Sequence, residues 1–300
     1  MWVVGVDGVA KKVPVGTGPQ AIAVNPKTGV AYVANSESRN VSILDGTSDA
    51  TVATAHTAAR PYAIAVDEST GNAYVSNTFS NMLTVIDGET HLATNIKTGS
   101  ADAMVIDAKV GKVYLMGYES DTLTVLNTAN GGISKLSTGA MHQWGMAVDS
   151  KTSMLYVTHV GDSNVATLNL RTNRQTIVPT GAIPCAIAIN RGTSEVYVAN
   201  YGDGTVTVID ETDGRVIATI AVGQHPQAIA VDEKQDLIFV ANTKDNTMSI
   251  IDGRSRRLWK TMPTGNHPYA IALDERAAKA YVANLGKMPF TILYYGNSMH

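Results

Sequence analysis

A four-residue unit recurs along the chain every 40 to 42 residues: an aromatic residue, an aliphatic residue and two residues that are mostly small or polar. Self-similarity at this spacing is typical of β-propeller blades or of stacked helical repeats. The runs around each copy alternate β-branched residues with others, which favours strands over helices. The copies begin at Tyr32, Tyr74, Tyr114, Tyr156, Tyr197, Phe239 and Tyr281.

Each copy is flanked by further strand-like runs at constant offsets. Upstream lies a short run that alternates alanine with isoleucine or valine, as in residues 21–25, and downstream lies a run such as residues 41–45. Small residues suit the narrow wedge near a propeller axis, so the upstream run is expected to be the innermost strand. The sequence therefore predicts an all-β fold, a seven-bladed β-propeller of four-stranded antiparallel blades, with residues 1–300 as a single domain.

The seventh repeat lacks a fourth, outermost strand, and the other terminus supplies a candidate. Residues 12–16, from Lys12 through Pro14 to Gly16, match residues 177–181 and 261–265, and each proline stands two before a glycine. Proline cannot donate to a strand ladder and is confined to edges, which marks all three segments as outer strands. We therefore expect the N-terminal strand to complete the last blade, while the pairing of residues 2–6 is left open.

Composition disfavours several classes of function. The net charge of −3 gives no broad basic field, so nucleic acid is an unlikely partner. A single cysteine, Cys185, excludes an intramolecular disulfide and a cysteine-rich zinc site. The sequence contains no run of eighteen apolar residues, so no membrane span is expected. The first residues do not resemble a signal peptide.

The repeat pattern resembles a known family. Gly-x-x-Pro-x-Ala-Ile-Ala-Val-Asp, followed by Tyr-Val-Ala-Asn and Val-x-Val-Ile-Asp, is similar to the YVTN-repeat β-propellers over residues 12–294. That family includes surface-layer repeats, periplasmic binding propellers, one kind of which binds single-stranded DNA, and more distantly lyases and lactonases. The resemblance implies a periplasmic or extracellular location. It supplies no catalytic motif, so function has to be argued from the site.

The loop that leads into each innermost strand and the loop after each second strand are expected to open on one face, the upper mouth of the central channel. The leading loops differ most between repeats, and two positions in them carry most of the variation. The position before the family proline holds Gly18, Arg60, Ser100, His142, Ile183, His225 and His267. The position after it holds Gln20, Tyr62, Asp102, Trp144, Cys185, Gln227 and Tyr269.

Histidines at one repeat position suggest a metal site. Converging imidazoles of His142, His225 and His267 would ligate a divalent transition metal, with Asp102 as an oxygen ligand. His159 adds an imidazole where most repeats have asparagine. The alternative is structural, because a polar residue at this position can simply hydrogen-bond the backbone of a neighbouring blade.

Aromatic and basic residues at the same mouth suggest a different ligand. Arg60, Tyr62, Trp144 and Tyr269 would suit an anionic, planar or sugar-like molecule. The alternative is that these large side chains plug the channel. Cys185 is either a reactive thiol or a small buried side chain.

The sequence thus predicts a binding propeller that takes a small molecule, or a protein or peptide, at the upper mouth. Its rival is a metal-assisted lyase or hydrolase in which His142, His225 and His267 hold the metal and Arg60 holds an anion. A third reading, stacking of single-stranded nucleic acid on Tyr62, Trp144 and Tyr269, would require a basic groove.

Overall fold

The computed structural model describes residues 2–4, 13–139, 141–285 and 290–294. The chain divides into two compact units, one of residues 1–102 with 264–300 and one of residues 103–263. Both units consist of four-stranded sheets. That residues 1–300 form a single domain stays a prediction.

The unit of residues 103–263 contains four antiparallel sheets, which we number blades 3 to 6, each with its strands hydrogen-bonded in chain order. Blade 3 consists of β10 (Ala103–Asp107), β11 (Lys112–Met116), β12 (Thr122–Asn127) and β13 (Ile133–Ser137), and blade 4 of β14 (Gln143–Asp149), β15 (Met154–His159), β16 (Asn164–Asn169) and β17 (Gln175–Pro179). Blade 5 consists of β18 (Pro184–Asn190), β19 (Glu195–Asn200), β20 (Thr205–Asp210) and β21 (Val216–Ala221), and blade 6 of β22 (Pro226–Asp232), β23 (Leu237–Asn242), β24 (Thr247–Asp252) and β25 (Arg257–Pro263).

The other unit contains blades 1 and 2 and a third sheet, which we call the terminal sheet. Blade 1 consists of β2 (Pro19–Val24), β3 (Ala31–Asn35), β4 (Asn40–Leu44) and β5 (Thr51–His56), and blade 2 of β6 (Arg60–Val66), β7 (Ala73–Thr78), β8 (Met82–Ile86) and β9 (Ala93–Lys97). The terminal sheet contains β26 (Pro268–Asp274), β27 (Lys279–Asn284), β28 (Phe290–Tyr294) and β1 (Trp2–Val4).

The prediction of an all-β propeller with four-stranded antiparallel blades is confirmed, but six sheets rather than seven have that form. In the terminal sheet β1 pairs parallel to β28, with Trp2 opposite Thr291. The terminal sheet is therefore mixed. An N-terminal strand does join it, yet it is not the predicted segment and it runs in the other direction.

Residues 13–16 form no strand, so their assignment to the last blade was wrong, and Lys12 lies outside the described residues. The carbonyl of Pro14 accepts a hydrogen bond of 2.6 Å from Thr51 Oγ1 on β5, which ties the segment to blade 1. Val13 is buried in a cluster with Leu44 and Tyr281. The segment is thus held by packing, since a proline offers a strand ladder no donor.

The first strands of neighbouring blades pack on one another, as β14 does on β18 and β18 on β22. Alternating alanines make this approach possible. Gly145 takes the place of an alanine in blade 4, and a Cβ there would lie 2.6 Å from the Cys185 carbonyl oxygen. Only glycine fits at that distance, so the glycine lets blade 4 lie closer to blade 5.

A buried asparagine near the end of the second strand secures five of the sheets. In blade 5, Asn200 donates from Nδ2 to Thr205 Oγ1 at 3.0 Å and to Thr207 Oγ1 at 2.9 Å. These bonds tie the end of the second strand to the start of the third. The glycine that opens the leading loop packs on the same amide, and a Cβ at Gly181 would lie 2.7 Å from Asn200 Nδ2. The five asparagines are Asn35, Asn77, Asn200, Asn242 and Asn284.

At the opposite ends of the strands, aspartate and asparagine side chains close the turns. Asp45 Oδ1 accepts the backbone N–H groups of Thr47 at 3.1 Å and Ser48 at 2.8 Å. These hydrogen bonds, chiefly those from Ser48, lower the pKa of Asp45 below its usual range. The recurring Asp and Asn residues are therefore turn-forming groups.

Three of the repeated second-strand tyrosines donate a hydrogen bond to a carboxylate. In the pair between the terminal sheet and blade 1, a lysine neutralises the carboxylate. Tyr281 donates its hydroxyl to Asp49 Oδ1 at 3.1 Å. Lys279 donates to the same oxygen at 2.8 Å and to the Gly46 carbonyl at 3.0 Å. Lys279 and Asp49 are both buried, with side chains 6% and 3% exposed. Removal of one partner would leave an uncompensated buried charge.

We expect Lys279→Met to lower the free energy of unfolding by about 3 kcal/mol or more, because it leaves the buried Asp49 carboxylate without its positive partner. Urea denaturation of the variant and the parent protein measures this. Lys97→Met, at an exposed position of β9, is the matched control and should change stability by no more than about 0.5 kcal/mol. Equal effects of the two substitutions would contradict the assignment.

Candidate functional site

The leading loops have the same backbone conformation in most sheets. The residue before the proline position has a positive φ, 57° at His142, 54° at His225 and 54° at His267. Its carbonyl accepts the N–H of the residue that follows the second strand, as between His225 and Thr243 at 2.9 Å. Histidine tolerates the left-handed region better than most residues. The backbone therefore accounts for the recurrence of histidine at this position.

The position after the proline is a β-bulge. The pairing register shifts between Pro226 and Ala228 in blade 6, so that Gln227 stands outside the regular ladder. The same shift occurs at Gln20, Tyr62, Trp144, Cys185 and Tyr269. A bulge bends the strand and re-aims its side chain, which is why this position can vary between repeats.

The unit of residues 103–263 presents an aromatic cluster at the leading loop of blade 4. The rings of Tyr118 and His142 lie 5.2 Å apart at 52°. Tyr118 also meets Trp144 edge to face, with ring centroids 5.7 Å apart and planes at 86°. Trp144 remains 39% exposed and the neighbouring Met141 50% exposed. Edge-to-face packing fixes the orientation of the indole while leaving much of its surface open to a ligand.

A second aromatic contact of the same kind lies between blades 5 and 6. The rings of Tyr201 and His225 stack at 4.3 Å with planes 20° apart. Tyr201 and Tyr118 stand at the same repeat position, just beyond a second strand, and each meets the leading-loop histidine of the next blade. Both predicted metal ligands in this unit, His142 and His225, therefore contact tyrosine rings.

In the unit that holds blades 1 and 2, predicted site residues lie at the matching bulges of three sheets, namely blade 1, blade 2 and the terminal sheet. The hydroxyls of Tyr62 and Tyr269 lie 3.1 Å apart. Gln20 stands at the matching bulge of blade 1, and its Oε1 is buried without a hydrogen-bond partner among the described atoms. Arg60 and His267 are exposed. The structure thus brings Tyr62 and Tyr269 together, and their role as ligand contacts stays a prediction.

The predicted metal ligands are divided between the two units: His142 and His225 belong to one, and Asp102 and His267 to the other. In the described part of the chain, no three His, Cys, Asp or Glu side chains lie close enough together to hold a metal ion. Asp102, the predicted oxygen ligand, is half-buried just before β10. The metal site therefore stays a prediction.

His159 occupies the place of the buried asparagine in blade 4 and is only 1% exposed. Its Nδ1 lies 3.0 Å from Asn164 Oδ1, which repeats the contact that the asparagines make five residues further along. Burial lowers the pKa of His159, and the bond to Asn164 and the charge of Asp162 only partly oppose this. His159 is thus a structural residue, kept neutral.

Cys185 is buried at the bulge of blade 5 and bonds through Sγ to the Pro226 carbonyl oxygen at 3.0 Å. Burial raises the pKa of its thiol to about 12. A thiol has to ionise before it can act as a nucleophile. Cys185 therefore matches the second of the two predictions, a small buried side chain.

Tyr118 is the member of the aromatic cluster that sequence reasoning missed. The available signal was positional, because Tyr118 and Tyr201 share one offset in the repeat and each precedes a leading loop with histidine. The contact joins adjacent blades, so no single repeat contains both rings.

Comparison with known proteins supports the fold. The chain is similar to a solved structure of hydrazine synthase from Kuenenia stuttgartiensis, with a TM-score of 0.82 and 16% sequence identity over 94% of this chain and 97% of that chain. At this identity the likeness concerns the β-propeller fold alone. No protein-family model matches the sequence, and no curated protein matches it. In the described ranges no helix is long and apolar enough to cross a membrane.

The burial of neutral His159 predicts a pH dependence of stability. Since its pKa is lowered in the folded state, the unfolded chain takes up a proton first, and stability falls as the pH drops below about 6.5. His159→Asn, which restores the residue of the other sheets, should flatten this slope. Thermal denaturation between pH 7 and pH 5 measures it, with exposed His56→Asn as the control that keeps the parent slope.

Proposed function

We propose that this chain is a binding propeller whose ligand contacts Tyr118, His142 and Trp144 at the leading loop of blade 4. The observation that carries the proposal is the half-open indole of Trp144, held edge to face by Tyr118. Because Trp144 is 39% exposed, part of the indole is available to a ligand. Aromatic surface with few polar groups around it is typical of small-molecule sites.

The ligand class follows from the chemistry of the cluster. The open indole face offers a flat apolar surface, and exposed His142 offers a ring nitrogen at its side. A sugar-like ring can stack its C–H face on the indole and hydrogen-bond the imidazole through a hydroxyl. We therefore favour a pyranose-like ring over a protein or peptide partner.

The resemblance to YVTN-repeat propellers agrees with a binding role and with a periplasmic or extracellular location, both of which remain proposals. Arg60, Tyr62, Asp102 and Tyr269 remain predicted ligand contacts in the other unit. The rival metal-assisted enzyme has no specific observation in its favour and is not proposed.

We expect Trp144→Ala to weaken binding of a pyranose probe by about tenfold or more, because it removes the stacking face. Saturation-transfer NMR with methyl β-D-glucopyranoside and with D-glucuronate measures this, the second probe reporting whether an anionic sugar is preferred.

Trp259→Ala is the matched control, since Trp259 is 43% exposed on the outer strand β25. It should leave the saturation transfer unchanged. The proposal is wrong if neither sugar receives saturation from the parent protein, or if the two tryptophan variants behave alike.

A further inference from the structure

Two acidic side chains meet between blades 4 and 5, in the unit of residues 103–263 and independent of the proposed function. Asp149 ends β14, and Glu211 directly follows β20. Asp149 is 1% exposed and Glu211 is half-buried. Thr152, in the turn after β14, donates from Oγ1 to Glu211 Oε1 at 2.7 Å. This bond joins the turn of blade 4 to the turn of blade 5 and brings the two acids into one interface.

Each of the two carboxyl groups has one oxygen with donors and one without. Glu211 Oε1 accepts two hydroxyls, among them that of Tyr156 at 3.0 Å. Asp149 Oδ1 accepts the backbone N–H of Lys151 at 2.8 Å and lies 3.5 Å from Arg191 Nε. The remaining oxygens, Glu211 Oε2 and Asp149 Oδ2, are buried, and no N–H group or hydroxyl in the described part of the chain donates to either. The interface therefore needs one more hydrogen atom.

The next pair of blades shows what supplies that hydrogen elsewhere. Asn190 ends β18 and holds the repeat position of Asp149. Its Oδ1 accepts the backbone N–H of Gly192 at 3.0 Å, as Asp149 Oδ1 accepts that of Lys151. Its Nδ2 donates to Asp236 Oδ1 of blade 6 at 2.7 Å. Aspartate has the shape of asparagine but an oxygen in place of Nδ2, so a contact with a second carboxyl group there requires a proton.

The charged groups on the surrounding elements form no ion pair with Glu211 within the described ranges. Arg191 is shared, because its Nη1 lies 2.7 Å from Glu233 Oε1. Arg174 lines the same surface cavity as Glu211. The other charged side chains on these elements and on the neighbouring turns are Asp107, Lys151, Arg171, Asp210, Asp213 and Arg215.

Electrostatics favour the neutral form of Glu211. Burial raises the pKa of Glu211, and the charge of Asp149 and its hydrogen bond with Glu211 raise it further. The hydroxyls of Thr152 and Tyr156 act in the opposite direction and only partly offset the rise. Asp149 has a backbone N–H and a guanidinium beside Oδ1, so it is the acceptor of the pair.

We propose that Asp149 and Glu211 share one proton at pH values where exposed glutamates are ionised, and that this proton joins blade 4 to blade 5. Glu211 Oε2 carries the proton and donates it to Asp149 Oδ2, so one hydrogen atom satisfies both buried oxygens. Loss of the proton leaves two carboxylates in contact, which repel each other. The pair is thus a pH-sensitive contact that alkaline pH weakens.

This contact makes part of the stability depend on pH. Because the pKa of Glu211 is higher in the folded than in the unfolded chain, the folded state holds the additional proton between the two values. The contribution is complete below the ordinary glutamate pKa of about 4.3 and is lost as the pH rises through the folded value. His159 acts in the opposite direction, so parent and variants that all keep His159 have to be compared.

Asp149→Asn tests the proposal, because its amide supplies the N–H that Asn190 supplies in blade 5. Thermal denaturation of the whole chain from pH 5 to pH 9 measures the effect. The melting temperature of the variant should rise relative to that of the parent as the pH increases, by about 2 °C or more at pH 9. Asp213→Asn removes an exposed acid from the turn that carries Glu211 and should keep the parent profile. A difference between Asp149→Asn and the parent that is constant with pH would overturn the proposal.

Asn190→Asp is the reciprocal test, since it places a carboxyl group against Asp236 and should add a loss of stability at alkaline pH. NMR of the parent chain with ¹³C-labelled glutamate does not depend on the folding of a variant. The Glu211 Cδ signal should report a protonated carboxyl group above the pH at which the exposed glutamates ionise. An Asn190→Asp profile equal to that of the parent, or titration of Glu211 together with the exposed glutamates, would contradict the shared proton.

Discussion

The structure depends on a buried side-chain amide that recurs in five of the sheets. It is an asparagine near the end of the second strand, and in four of these sheets it donates to a hydroxyl on the third strand, as Asn242 does to Thr247 and Ser249. The glycine of the leading loop packs on the same group, and a Cβ at Gly223 would lie 2.6 Å from Asn242 Nδ2. Strand ends and leading loops are therefore fixed together, and the loops carry the candidate site residues.

Blade-to-blade differences follow from this frame. Blade 4 replaces the asparagine by His159 and has Ala166, with no hydroxyl, where other sheets have serine or threonine. Blade 3 has Gly117 in that place, and Lys135 Nζ then binds Thr124 Oγ1 at 2.7 Å. The two blades that depart from the repeat are the ones whose loops supply Tyr118, His142 and Trp144. The departures thus coincide with the aromatic cluster.

The strands were predictable because each copy of the forty-residue repeat shows the alternation of small and large apolar residues that is typical of a strand, as in the alanine-rich strand β18. It failed for residues 13–16, since a proline match identifies an edge segment and not the sheet to which it belongs. It singled out Trp144 because variation within a repeat is visible in one sequence, and the role of Trp144 as a ligand contact stays a prediction. It could not find the contact of Tyr118 with His142, since this contact joins side chains of different blades. The recurrence of histidine suggested metal chemistry, which stays a prediction; the positive φ at His142 and His225, a backbone conformation that histidine tolerates, could not be read from the sequence.

Amide hydrogen exchange of Asn242→Ala tests the role of the buried amide most directly. The account predicts faster exchange in the leading loop of blade 6 around residues 223–225 and at the start of β24, with the matching segments of blade 5 unchanged. Exchange that is unaltered in both segments, or that rises equally in all blades, would contradict it.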